Sequence, residues 1–247
     1  MHVHALEPLV KTSIVLSPAD KCIYCGAANV QLSKEHVIAL ALNGRLILPK
    51  ASCSKCAIIT GRLELIVSRK MYRPLRLKRG FDSRTKKMDR PKTLRAAYHE
   101  AGVKTDIDLP VHLFPTNYIT MRFPPPGIFT GAPLSDMNPD IQCDIKVDVR
   151  EMQEAITAVG RDNLITTNEV HWGAFCRMLA KIAHAYLFAE LREQGYEPLL
   201  PGLILGTNKF LSHYVGGGRK CLLTKLFRSR FSSSKLTTSF TSASTSD

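Results

Sequence analysis

Cys22-Ile23-Tyr24-Cys25-Gly26, then Ser33-Lys34-Glu35-His36-Val37-Ile38, then Ser52-Cys53-Ser54-Lys55-Cys56: these three strings decide how the chain reads. Each Cys-x-x-Cys step sets two sulfurs on one turn, so Cys22, Cys25, Cys53 and Cys56 make a four-thiolate zinc site that ties the intervening loop shut. Gly26, just past the second cysteine, supplies the tight turn that lets backbone amides curl toward the thiolates. Four sulfurs close the coordination shell, so this zinc is expected to be structural and its binding to contribute folding energy directly.

Outward from the knuckles, residues 37–42 are short and apolar, Asn43-Gly44 is a strong turn signal, and residues 45–48 can return as a second strand. After Pro49 the second knuckle leads into an apolar run that opens a helix, weakened in its middle by Gly61. The expected order is knuckle, strand, turn, strand, knuckle, helix.

The remaining chain of 247 residues is long enough to carry this small module and a larger domain. With 45% hydrophobic and 22% charged residues, the composition is that of a soluble globular protein. No apolar run reaches the roughly 18 residues of a membrane span. The N-terminus lacks a basic segment followed by an apolar core, so a cytoplasmic location is expected. Seven cysteines, four of them in two tight pairs, do not suit a disulfide framework. Cys176 falls on an apolar helical face and reads as core packing.

The formal charge of +13 is concentrated. Residues 69–95 hold twelve Lys or Arg against Asp82 and Asp89, a density that favours a polyanion through phosphate contacts and counterion release. Arg69, Arg73, Arg76, Lys78 and Arg79 are the candidate nucleic-acid contacts, and a solvated basic linker is the alternative. Pro-rich residues 107–134 suggest edge strands and turns. Residues 143–149 alternate as a half-buried strand, and a short helix follows over 151–159, stopping at Gly160. The clearest helix spans 169–194, with Phe175, Met178, Leu179, Ile182 and Tyr186 on its apolar face, Asn168 as N-cap and Gly195 as C-cap. His184 on that helix reads as structural. Residues 232–247, eleven of them Ser or Thr, form a disordered tail. The expected class is therefore α+β: a lead-in over 1–20, a zinc module over 21–72, a basic arm or linker over 73–106, an α+β domain of unknown role over 107–231, and the tail.

Glu35 and His36 carry the candidate chemistry. Phosphodiester hydrolysis needs a base for water and a cation for the charge that develops on the phosphate. His36 suits the first near neutral pH, and Glu35 is a hard oxygen ligand for magnesium or manganese. Neighbours on a strand point to opposite faces, so both reach one site only where the strand is irregular or ends.

Together with Asn43-Gly44 and Leu48-Pro49-Lys50-Ala51, the three strings resemble the zinc-bearing branch of the HNH endonucleases, over about residues 22–60. The resemblance implies a ββα-metal fold, Glu35 as acidic metal ligand and His36 as general base acting on DNA. The family's further Asn or His, at the start of the helix, falls on Ala57, which can neither ligate nor orient water. Asn43 is the nearest candidate for the family's intermediate Asn, and a rescuing ligand such as His99 or Asp106 would have to come from elsewhere. Two functions follow: a metal-dependent DNA endonuclease, or a zinc-containing nucleic-acid-binding protein without catalytic activity. Oligomeric state is not legible.

Overall fold

The computed structural model describes residues 12–83, 85–134, 136, 141–192, 194 and 196–218. Its class is α+β, with small sheets packed beside one long helix. β1 (Ile14–Val15), β2 (Leu32–His36) and β3 (Leu46–Cys53) form a sheet in the order β1-β3-β2. β1 runs parallel to β3 and β2 antiparallel to it, so part of the expected lead-in is strand.

The first strand of the hairpin comes earlier than the apolar pattern of 37–42 suggests. β2 pairs Leu32 with Cys53 and His36 with Ile47, while residues 37–42 turn the chain, ending in a 3-10 turn at Leu40–Leu42. β3 runs through Pro49 to Cys53, and the first knuckle docks on its end, where the Ile23 amide donates to the Ala51 carbonyl at 2.9 Å. Val37 is still buried, but from the turn. Asn43 takes the left-handed conformation (φ 64°), and a side chain at Gly44 would collide with the Ile38 carbonyl oxygen, so Asn-Gly marks the turn as expected.

α1 (Ser54–Ile66) begins inside the second knuckle and, despite Gly61, runs on as one wider turn through Val67–Met71 before α2 (Arg73–Lys78). The basic stretch is thus folded where it is described. Beyond it, β4 (Thr93–Glu100) and β5 (Val103–Pro110) make a hairpin through Ala101-Gly102, both at positive φ, the mirror-image turn that matches strand twist. This hairpin straddles the boundary expected at residue 106. Its inward residues Leu94, Ala96 and Leu109 pack with Phe114, an alternation that small alanines and the polar residues between them make faint in the sequence.

β6 (Asn117–Arg122) and α3 (Gly127–Thr130) fall in the proline-rich stretch, and β6 pairs antiparallel with β7 (Gln142–Val147). α4 (Val149–Val159) is capped by Asp148, whose carboxylate accepts from the Glu151 amide, and stops at left-handed Gly160. α5 (Trp172–Leu191) is the long helix, three residues shorter at each end than the periodicity predicts. His171, not Asn168, stands at its N-cap position. At its other end Arg192 leaves the helix and donates to the Ser17 and Pro18 carbonyls. α6 (Pro201–Leu205) and α7 (Leu211–Tyr214) follow. Gly195, Cys221 and residues 232–247 lie outside the described residues.

The main core unites parts that the sequence places 120 residues and more apart. Cys22, Ile23, Tyr24, Val37, Leu48, Ala51, Cys53 and Cys56 pack with Ala180, Ala185, Phe188, Leu203 and Ile204 of α5 and α6. A second cluster joins Val67 and Met71 to Ile119 and Met178. The module that carries the four cysteines therefore shares its interior with the long helix. Cys176 is buried, as a core residue should be. Among the described residues no helix is long and apolar enough to cross a membrane.

Candidate metal centre and the adjoining cleft

The first knuckle closes on itself: the Gly26 amide donates to the Cys22 carbonyl and the Cys22 amide to the Ala27 carbonyl, both at 2.8 Å, with Gly26 left-handed. The second knuckle runs from the last residue of β3 into the first turn of α1, where Cys53 and Cys56 sit. The four Sγ atoms lie within 4.8 Å of one another, so a single metal ion can be held by all four. Cys25 and Cys53 stand 3.7 Å apart, far beyond the roughly 2.05 Å of a disulfide. The backbone amide of Cys56 beside Cys53 lowers that thiol to about 7, while burial pushes the Cys56 thiol well up. Cys22, Cys53 and Cys56 are buried and Cys25 is exposed.

β2 meets the geometric condition for its two adjacent residues. Its pairing with β3 is irregular between Ser33 and Glu35, and His36 is its last residue. Glu35 and His36 both line one cleft of about 560 Å³. Ala57, Thr60, Gly61 and Glu64 of α1, with Ser68 of the wider turn that continues it, line the helix side of the cleft, recurring at the three- and four-residue steps of one helical face. Glu64, two turns beyond Ala57, is the acidic side chain on the helix side of this cleft.

Behind the carboxylates lies Lys181, carried in by α5 and only 1% exposed at its side chain. Its ammonium stands 2.7 Å from Glu35 Oε1 and 2.7 Å from Glu64 Oε1. It also donates to the His36 carbonyl and, at 3.3 Å, to that of Val37. Burial alone would lower the Lys181 pKa, but Glu35 and Glu64 outweigh it and hold the ammonium above its ordinary range. Burial pushes the Glu35 carboxyl up, against the pull of Lys181. The Tyr24 hydroxyl is buried beside the same glutamates, raised well above its ordinary pKa by burial, and has no hydrogen bond of good geometry. One turn along α5, His184 Nε2 donates to the Ile23 carbonyl at 2.7 Å, and burial lowers its pKa, which fits a neutral, structural imidazole.

The basic residues divide. Arg69 lines the cleft with Glu35 and His36, and Arg73 and Arg79 are exposed. Arg76 is spent on structure, donating to the Ala41 and Ser68 carbonyls. Lys78 pairs with Glu151 at 2.8 Å and donates to the Phe114 carbonyl. Arg69, Arg73, Arg76 and Arg90 line a second cleft of about 460 Å³ that adjoins the first. His99 and Asp106 do not reach the site: both lie on the β4–β5 hairpin, Asp106 paired with Arg95 at 3.1 Å. Asn43 stays in its turn, accepting from Arg45.

Glu64 and Lys181 are the residues that sequence reading passes over. The signal for Glu64 is its seven-residue spacing from Ala57, and that for Lys181 is a lysine on the apolar face of a long helix. No protein-family model, no curated protein and no solved structure matches the chain.

Proposed function

We propose that this protein is a metal-dependent endonuclease hydrolysing phosphodiester bonds in DNA, with a structural zinc of the HNH type. One observation carries the reading: a single cleft is lined by an imidazole, two carboxylates and an arginine, His36, Glu35, Glu64 and Arg69. The strand–strand–helix order of β2, β3 and α1 around the knuckles accords with a ββα-metal module. Zinc suits the four cysteines, since a tetrahedron with Zn–S bonds of about 2.3 Å has edges of about 3.8 Å, close to the 3.7 Å between Cys25 and Cys53.

In the reaction His36 accepts the proton of a water whose oxygen attacks phosphorus, and the P–O bond to the leaving sugar oxygen breaks, the electron pair staying on that oxygen, which takes a proton from solvent. Glu35 and Glu64 offer hard oxygen ligands for magnesium or manganese, an ion that keeps several waters and needs only one or two carboxylates besides the substrate phosphate. A cation held there would take up charge developing on the phosphate oxygens. Arg69, Arg73 and Arg79 position the backbone without reading bases. Ala57 and the claim of Lys181 on Glu35 favour the second reading, a zinc-containing nucleic-acid-binding protein without catalysis.

Nicking of supercoiled plasmid in magnesium or manganese separates the two. Wild type is expected to nick, and His36→Ala to lose on the order of 100-fold or more of the rate, the usual contribution of a general base, with DNA affinity unchanged. Failure of wild type to nick in either cation leaves only the binding module.

A second expectation concerns the exposed arginines. Replacing Arg69, Arg73 and Arg79 together by alanine should weaken DNA binding and flatten its dependence on salt, by about 0.9 log unit per log unit of salt for each duplex phosphate no longer neutralised. Unchanged affinity and slope in a filter-binding titration would leave these residues without a role in binding.

A further inference from the structure

Lys181 is a charged side chain buried in the main core's neighbourhood, 145 residues from the strand it grips, and the nuclease reading assigns it nothing. An ammonium has three protons, and here they are shared among Glu35 Oε1, Glu64 Oε1 and the carbonyls of His36 and, at 3.3 Å, Val37. With its side chain 1% exposed, Lys181 has no access to a substrate in the cleft and acts only through these partners. Each glutamate gives it one oxygen, Oε1, so the other oxygen of each lies outside its grip. The Tyr24 hydroxyl, buried beside both glutamates, lies against the Glu35 carboxylate without a hydrogen bond of good geometry, and a buried hydroxyl so poorly satisfied is one that an ion's water at that carboxylate would complete.

We propose that Lys181 is the positioning residue of a divalent-cation site formed by Glu35 and Glu64: it fixes the two carboxylates side by side and, by cancelling one of their two charges, sets how weakly they hold the ion. The glutamates approach from opposite walls, β2 and α1. Without a cation between them their mutual repulsion would drive the half-buried Glu64 outward, since Glu64 is 25% exposed at its side chain and Glu35 only 7%. Lys181 thus holds the pair closed with net charge of one negative unit, and a hard divalent ion completes the neutralisation from the cleft side. Grip on the His36 carbonyl keeps the end of β2, and with it the imidazole, in register with the carboxylates.

The metal-binding half of this proposal stands apart from the nuclease reading, and only the kinetic half rests on it. The test is manganese binding to the zinc-loaded protein, followed by electron paramagnetic resonance, for wild type, Lys181→Met, Lys181→Arg and Glu64→Gln. Lys181→Met should bind manganese at least tenfold more tightly, because removing the internal cation leaves two uncompensated charges. Any nicking by this variant should need less metal yet run more slowly at saturation. Lys181→Arg keeps the charge and should stay near wild-type affinity. Glu64→Gln, which preserves the Lys181–Glu35 pair and so tests the site even where Lys181→Met does not fold, should weaken manganese binding at least tenfold. Manganese affinity unchanged in Glu64→Gln, or unchanged in a folded Lys181→Met, overturns the proposal. A wild type that fails to nick while these affinities move as stated removes the nuclease reading and leaves the cation site.

Discussion

Stripping zinc from this protein is expected to unfold its main core and not merely to loosen a loop. Cys22, Cys53 and Cys56 are members of the same buried cluster as Ala180, Ala185, Phe188, Leu203 and Ile204, so the knuckles anchor α5 and α6 as well as the hairpin between them. The four sulfurs are drawn within 4.8 Å of one another, three of them buried, and thiolates so crowded repel unless a cation joins them. Structural zinc in small domains contributes about 10–16 kcal/mol of apparent binding energy, against a typical net stability of about 5–15 kcal/mol for a whole domain. The purified chain should carry one zinc. Excess chelator at neutral pH should abolish the cooperative thermal transition, and Cys56→Ser should be insoluble or melt far below wild type. Equal melting curves with zinc and with chelator, in a protein free of zinc, would remove the metal from the folding argument.

The next largest effect is expected at Lys181. Lys181→Met leaves Glu35 buried with its charge uncompensated, a loss of the kind that costs about 3–5 kcal/mol. Adding Glu35→Gln to Lys181→Met should recover much of that loss, because the pair's net worth is far smaller than the penalty of breaking it on one side. Chemical denaturation of the two single variants and the double variant measures the coupling, and strictly additive losses would contradict the ion pair. The pH dependence carries a sign. The Lys181 pKa is raised in the folded state above its ordinary 10.5, so its contribution is fully present below that value and is lost as pH rises through the higher folded value. Wild type should therefore lose stability in the alkaline range above about pH 10.5, and Lys181→Met should lack that part of the loss.

What was legible in the chain is what short-range chemistry dictates. Cys-x-x-Cys spacing predicts the four-sulfur site because two sulfurs three residues apart already share a turn, and the structure brings Cys22, Cys25, Cys53 and Cys56 together. Asn43-Gly44 marks its turn because few residues tolerate positive φ there, and Gly160 ends α4 through a cap readable at a single position, whereas the Asp148 cap that starts the helix two residues early is not read from the strand pattern around it. The long helix is visible in its three- and four-residue periodicity, though its ends are not, since Asn168 precedes the helix and Arg192 is pulled away by the Ser17 and Pro18 carbonyls.

Register and partnership were not legible. The apolar run at 37–42 looks like the strand, yet docking of the first knuckle on Ala51 pulls the pairing back to Leu32–His36 and leaves Val37 buried from a turn. The β4–β5 hairpin follows directly on the basic stretch and is faint in the sequence because its inward residues are few and partly alanine.

The sequence by itself determined two cysteine knuckles, a turn, a long apolar helix and an adjacent glutamate and histidine, since each is written in residues near one another along the chain. Only the tertiary structure decided that Glu35 and His36 face Glu64 across a cleft, and that Lys181 comes from α5 to hold both carboxylates. The reason is physical: a buried lysine is stable only where carboxylates and carbonyls converge on it, and that convergence is a property of packed elements, not of spacing along the chain.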